Sequence, residues 1–154
     1  MFRWRFLVLP VMLGLLVVPQ GASWADDDHD HEKDDPAIQY RIDVMKGISF
    51  NAAAIGLTLR HKLPQTQNLA NHAEAIALGA RSSLSAFEPK VAGALAKPEV
   101  WENWKDFSAR LTKLADAADD VAKTAREQGP AAAMPKLQGM FAGCKDCHDT
   151  YRKK

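Results

Sequence analysis

Gly143-Cys144-Lys145-Asp146-Cys147-His148-Asp149-Thr150-Tyr151-Arg152 is the stretch that organises the reading of this 154-residue chain. Its centre has the form C-x-x-C-H. On a helix Cys144, Cys147 and His148 fall at i, i+3 and i+4, so they share one face. Leu137, Met140 and Phe141 before them, and Tyr151 after, continue the same stripe. Cys144 and Cys147 are the only cysteines, so a scaffold of several disulfides is excluded, and any core must come from packing or a cofactor.

C-x-x-C-H is the attachment signature of a c-type haem. Two thiols can add to the two haem vinyl groups, and the adjacent imidazole can then reach the iron. Three rivals stand beside that reading. A thioredoxin-like redox pair belongs next to a βαβ pattern, and no strand signal is visible here. A zinc site needs four ligands, and the chain has no third cysteine. A plain disulfide between the two thiols would be merely structural. Coincidence of the motif with an export signal and an all-helical pattern favours haem.

Working outward from the motif, four helical segments are predicted, each punctuated by proline or glycine. The first runs from about Pro36 to His61, with Asp35 as its cap and Pro36 in its first turn. Its stripe reads Ile38, Ile42, Met45, Ser49, Ala52, Gly56 and Leu59, with Ile48 and Ile55 alongside. The second runs from about Thr66 to Phe87 through Leu69, Ala73, Ile76, Ala80 and Leu84. The third runs from about Pro98 to Gln128 through Trp101, Trp104, Ser108, Leu111, Ala115, Ala118, Val121 and Ala125. Gly129-Pro130 stops it. The fourth begins between Pro130 and Pro135 and carries the motif. Steps of three and four mark one buried seam per helix, and four such helices with short links give an antiparallel up-down four-helix bundle. Its core is alanine-rich, which leaves room for a bulky group.

The N-terminal part reads differently. Arg3 and Arg5, the apolar run Phe6 to Val18 and the small residues of Ser23-Trp24-Ala25 form the three-part layout of a secretory signal peptide, predicted to be cleaved after Ala25. An uncleaved anchor is the rival, but the run is short for a span and contains Pro10. No second apolar run of membrane length is expected, so the product should be exported and soluble. Residues 26–35, DDDHDHEKDD, contain no apolar side chain and read as a disordered acidic arm. His29 and His31 could hold a divalent metal, but a solvated linker is favoured. Lys and Arg number 20 against 19 Asp and Glu, so no basic field points to nucleic acid.

Residues 36–154 resemble the class II c-type cytochromes, the cytochrome c′ and cytochrome c-556 family. The resemblance rests on the C-x-x-C-H in the last helix, on the acid and aromatic–Arg pair that follow it (Asp149, Tyr151-Arg152), and on the aromatic third helix, Trp101 to Phe107. It implies one covalent haem c on Cys144 and Cys147 with His148 as the proximal iron ligand. It also implies that an Arg on the first helix meets a haem propionate and that the residue four later covers the distal face. In Tyr40-Arg41-Ile42-Asp43-Val44-Met45 these positions are Arg41 and Met45. In the c-556 branch the distal residue is Met, so Met45 resembles a sixth ligand.

Residue spacing alone leaves Met45 as either core filler or ligand, with Met134 and Met140 as competitors. It likewise leaves Arg41 as either a propionate partner or a surface residue. His61 and His72 read as surface residues, and Trp101 and Trp104 as packing rather than a redox relay. The expected function is a periplasmic one-electron carrier, not an enzyme, working with redox partner proteins. The alternative is a five-coordinate gas-binding protein for nitric oxide or carbon monoxide. A weak peroxidase is less suited, because Ser49 and Ala52 beside Met45 offer no acid–base pair. Homodimerisation through the first two helices is common in the family, although no distinct exposed apolar face is evident from the sequence.

Overall fold

The computed structural model describes residues 35–154. The signal peptide and nearly all of the acidic arm therefore lie outside the described residues. Helix α1 spans Pro36–Arg60, α2 Leu69–Phe87, α3 Glu99–Glu102, α4 Trp104–Gln128 and α5 Pro130–Tyr151. Asp35 caps α1 by accepting a hydrogen bond from the Ala37 amide at 2.8 Å. A 3-10 turn over Pro64–Asn68 leads into α2. Gly129, at φ 90°, takes the left-handed turn between α4 and α5 that a side chain would resist. The fourth long helix starts at Pro130 and runs through Pro135 without ending there.

Helix α2 packs against both α1 and α4, and α4 packs against α5. The links from α1 to α2 and from α4 to α5 are short, so those pairs run antiparallel, and with the longer connection from α2 to α4 the four long helices make the expected up-down bundle. One core cluster joins Ile48 and Ile55 of α1, Ile76 of α2, Val121 of α4, and Leu137 and Met140 of α5. Alanines 73, 77 and 118 let the backbones of α2 and α4 come close in this layer. A second cluster is aromatic and holds Phe87, Val100, Phe107, Leu111 and Tyr151. At this end the chain is tied down by backbone bonds from Lys97 to Tyr151 (3.0 Å) and from Lys153 to Leu95 (2.8 Å).

Four expectations need correction. The most buried line of α1 is Ile38, Arg41, Ile48 and Ile55, with Met45, Ala52 and Leu59 of the expected stripe half-buried beside it, while Ser49 is exposed. Spacing cannot choose between adjacent stripes when isoleucines occupy both, and the fit of Ile48 onto Gly79 of α2 decides. A Cβ on Gly79 would lie 2.6 Å from Ile48. The third segment is broken at Asn103, whose φ −113° and ψ 40° separate α3 from α4. An apolar stretch of membrane length does recur, since α1 is long and apolar enough to cross a bilayer by length and composition. Its outer side is apolar too. This also overturns the absence of an exposed apolar face: Phe50 and Leu57 of α1 are 71% and 47% exposed.

Candidate haem site

Helix α5 carries Cys144 and Cys147 as free, half-buried thiols one turn apart, with His148 beside them. Across this turn Lys145 and Asp149 pair at i and i+4, and the Thr150 hydroxyl bonds back to the Asp146 carbonyl at 3.0 Å. Cys147 packs against the aromatic cluster. Burial pushes its thiol up to about 11 and raises that of Cys144 as well. Both are protonated at neutral pH, which does not suit a reactive redox dithiol. Burial and the nearby Arg152 hold His148 below the usual histidine value, which keeps the imidazole neutral and its nitrogen lone pair available. Among the described residues no group of three or more His, Cys, Asp or Glu is placed to hold a metal.

The same aromatic cluster receives Val44 and Met45 from α1. Met45 and Cys147 thus border one cluster from opposite helices. Met140 is 1% exposed and belongs to the aliphatic core, while Met134 is exposed near the start of α5. Neither competitor reaches the cluster that Cys147 borders.

Arg41 is 3% exposed, which removes the surface reading. Its guanidinium lies 5.1 Å from the Phe87 ring centre and 5.3 Å from that of Trp101. Its Nη2 donates to the Val91 carbonyl at 3.0 Å, and Trp101 in turn donates to the Phe87 carbonyl at 2.8 Å. Burial lowers its pKa. Among the described residues it has no carboxylate partner within ion-pair distance. Two aromatic faces and one carbonyl stabilise a buried cation without neutralising it, so the position favours an anion.

Sequence reasoning missed a polar network beneath the motif. Tyr151 donates to Asp106 Oδ2 at 2.6 Å, and Arg110 Nε donates to the same oxygen at 2.7 Å. Arg110 Nη1 also binds Asp146, inside the C-x-x-C-H turn. The i, i+4 spacing of Asp106 and Arg110 was available as a signal; their link to Asp146 and Tyr151 was not. His72 is half-buried rather than superficial, with Nδ1 2.9 Å from Asn51 Oδ1, and His61 is exposed as expected.

The family model described as cytochrome C′ matches residues 36–152, nearly the whole described chain. The chain belongs to the cytochrome c′ family. It is 34% identical over 123 residues to a cytochrome c′ of Rhodospirillum rubrum, covering 77% of this chain and 84% of that one. It is 31% identical over 121 residues to a cytochrome c-556 of Agrobacterium tumefaciens, covering 76% and 97%. Among solved structures, cytochrome c prime from Shewanella frigidimarina superposes with TM-score 0.70 at 24% identity over 77% of this chain and 95% of that one, a likeness of fold. The resemblance to class II c-type cytochromes and the four-helix bundle expected from the sequence both hold. The family's cofactor is one covalently attached haem c. The donor set on this cytochrome fits it: two free thiols and a neutral imidazole on one helical face, an apolar aromatic wall, a thioether packed against that wall and a buried cation with no ion-paired carboxylate among the described residues.

Proposed function

We propose that this cytochrome is a periplasmic one-electron carrier, with the haem on Cys144 and Cys147, His148 as proximal ligand and Met45 as distal ligand. The observation that carries the reading is the shared cluster of Met45 and Cys147, which brings a soft sulfur donor opposite the attachment helix. Haem c supplies a one-electron ferric/ferrous couple when bound, and a His/Met pair favours a higher potential. The protein's part is to keep both donors fixed. His148 is held on the rigid last turn of α5, and Met45 on a helix seated by Ile48 and Ile55. Phe87, Phe107, Trp101 and Trp104 exclude water from the space beside them. Arg41 meets a propionate, which would neutralise its buried charge.

The signal peptide directs export to the periplasm. Contacts with redox partner proteins are brief and small. The exposed Phe50 and Leu57 on α1 make that helix the face through which two copies pair.

A second reading has a specific support. One solved relative of the same fold, at TM-score 0.69 and 22% identity, is a nitric oxide complex of a variant cytochrome c prime from Alcaligenes xylosoxidans. If Met45 does not ligate, the distal side is open to such gases. Absorption spectra of the oxidised and reduced protein, with and without carbon monoxide, separate the two. A low-spin spectrum with a sharp reduced α band that ignores the gas supports the carrier. A high-spin spectrum that shifts on adding gas rejects it for the gas-binding protein.

A further inference from the structure

The network under the attachment turn has no part in holding the haem as described above, yet it touches that turn directly. Arg110 sits at its centre. It leaves α4, donates from Nε to Asp106 at 2.7 Å and from Nη1 to Asp146, and lies over the Tyr151 ring with its carbon 5.6 Å from the ring centre. Asp146 lies between the two cysteines. Tyr151 lies three residues beyond His148, and its hydroxyl closes the loop onto Asp106 at 2.6 Å. The motif is therefore gripped on both sides, at Asp146 and at Tyr151, and both grips run to the same turn of α4.

A single exposed ion pair would mean little. Here one guanidinium, with a side chain only 29% exposed, serves two carboxylates and an aromatic face. A planar fork can do this; a point charge cannot. The bond to Asp146 sets that positive charge against the residue that precedes Cys147.

We propose that Arg110 is a positioning residue for the haem: it clamps the C-x-x-C-H turn to α4 through Asp146 and Asp106, and its charge beside Cys147 biases the bound iron toward the ferrous state. The inference rests on the attachment of haem at Cys144 and Cys147. The equilibrium concerned is the gain of one electron by ferric iron, supplied by an electrode in the test, with no bond made or broken.

The test compares holoprotein of the wild type, Arg110→Lys and Arg110→Met. Two quantities are read: the midpoint potential, and amide hydrogen exchange over residues 144–148. Arg110→Lys keeps the charge and loses the fork, so exchange in the turn should quicken several-fold with little change in potential. Arg110→Met loses both and leaves two carboxylates uncompensated. Exchange should quicken, and the ferric-to-ferrous ratio at fixed potential should rise on the order of threefold, about 28 mV at 59 mV per tenfold for a one-electron couple. Unchanged potential and unchanged exchange in Arg110→Met would overturn the clamp. Should that variant fail to fold, Asp146→Asn releases the turn from the exposed side; wild-type exchange in it overturns the clamp equally. Mass spectrometry of the denatured wild type keeps the two layers apart. A chain without thioether-linked haem ends the attachment itself, whereas haem in place with unmoved readouts ends Arg110's role alone.

Discussion

The phenol of Tyr151 donates to Asp106 Oδ2 at 2.6 Å, joining the last turn of α5 to the first turn of α4 beneath the cysteines. Burial and that bond push the Tyr151 phenol from 10.0 up to about 12. The bond from Tyr151, and then that from Arg110, hold Asp106 below its usual 3.8. The raised phenol contributes stability that is complete below pH 10 and is lost as the pH climbs toward 12. The depressed carboxylate contributes stability present above pH 3.8 and lost as the pH falls through its folded value. Denaturant titrations from pH 3 to 12 should therefore show a plateau with two shoulders, and Tyr151→Phe should remove the alkaline one. An alkaline shoulder identical in Tyr151→Phe would assign it elsewhere.

Met45→Leu tests the distal ligand. The swap conserves volume and should cost less than about 1.5 kcal/mol of stability. If the thioether binds iron, the spectrum should change from low-spin to high-spin, and carbon monoxide should then shift it. A variant that stays low-spin and ignores the gas would remove Met45 from the iron.

Gly79 tests the α1–α2 contact that turns the seam of α1. A methyl group there meets Ile48 at 2.6 Å, so Gly79→Ala should destabilise the bundle by about 1–3 kcal/mol through overpacking. Trimming the neighbour should return part of that loss, since the two sites are in contact. Thermal unfolding of Gly79→Ala with and without Ile48→Ala, which removes the Cγ1 that the methyl meets, measures both; additive losses would show that the residues do not meet.

Phe50 tests the outer face of α1. It is 71% exposed on a helix whose inner face is already packed. Sedimentation should find the wild type dimeric and Phe50→Lys monomeric, with the same absorption spectrum. A variant that pairs as tightly as the wild type would put the interface on another surface.

Much of this was legible along the chain. Proline and glycine placed the start of α1 at Pro36, the end of α4 before Gly129 and the start of α5 at Pro130, because a missing amide or a positive φ acts locally. Cys144, Cys147 and His148 could be read as one face, because their spacing is a property of any helix. Arg41 and Met45 were reached through the family resemblance rather than through spacing. On α1 the stripe was centred through Ile42 and Ser49 with Ile48 and Ile55 beside it, whereas Arg41, Ile48 and Ile55 lie deepest, since the isoleucines suit two neighbouring stripes. The break at Asn103 lay inside an amphipathic pattern that continues past it.

By itself, the sequence determined the helix content and the chemistry of the attachment turn, both of which depend on neighbours within one or two helical turns. The tertiary structure alone decided that Arg41 is buried between Phe87 and Trp101, that Met45 and Cys147 border one cluster, and that Arg110 reaches Asp146. Those pairings join residues 36 or more positions apart, or place a charge where its flanking residues suggest water. Nothing local encodes them. They follow from which helix faces which, and from a side chain such as Ile48 finding a glycine to close against.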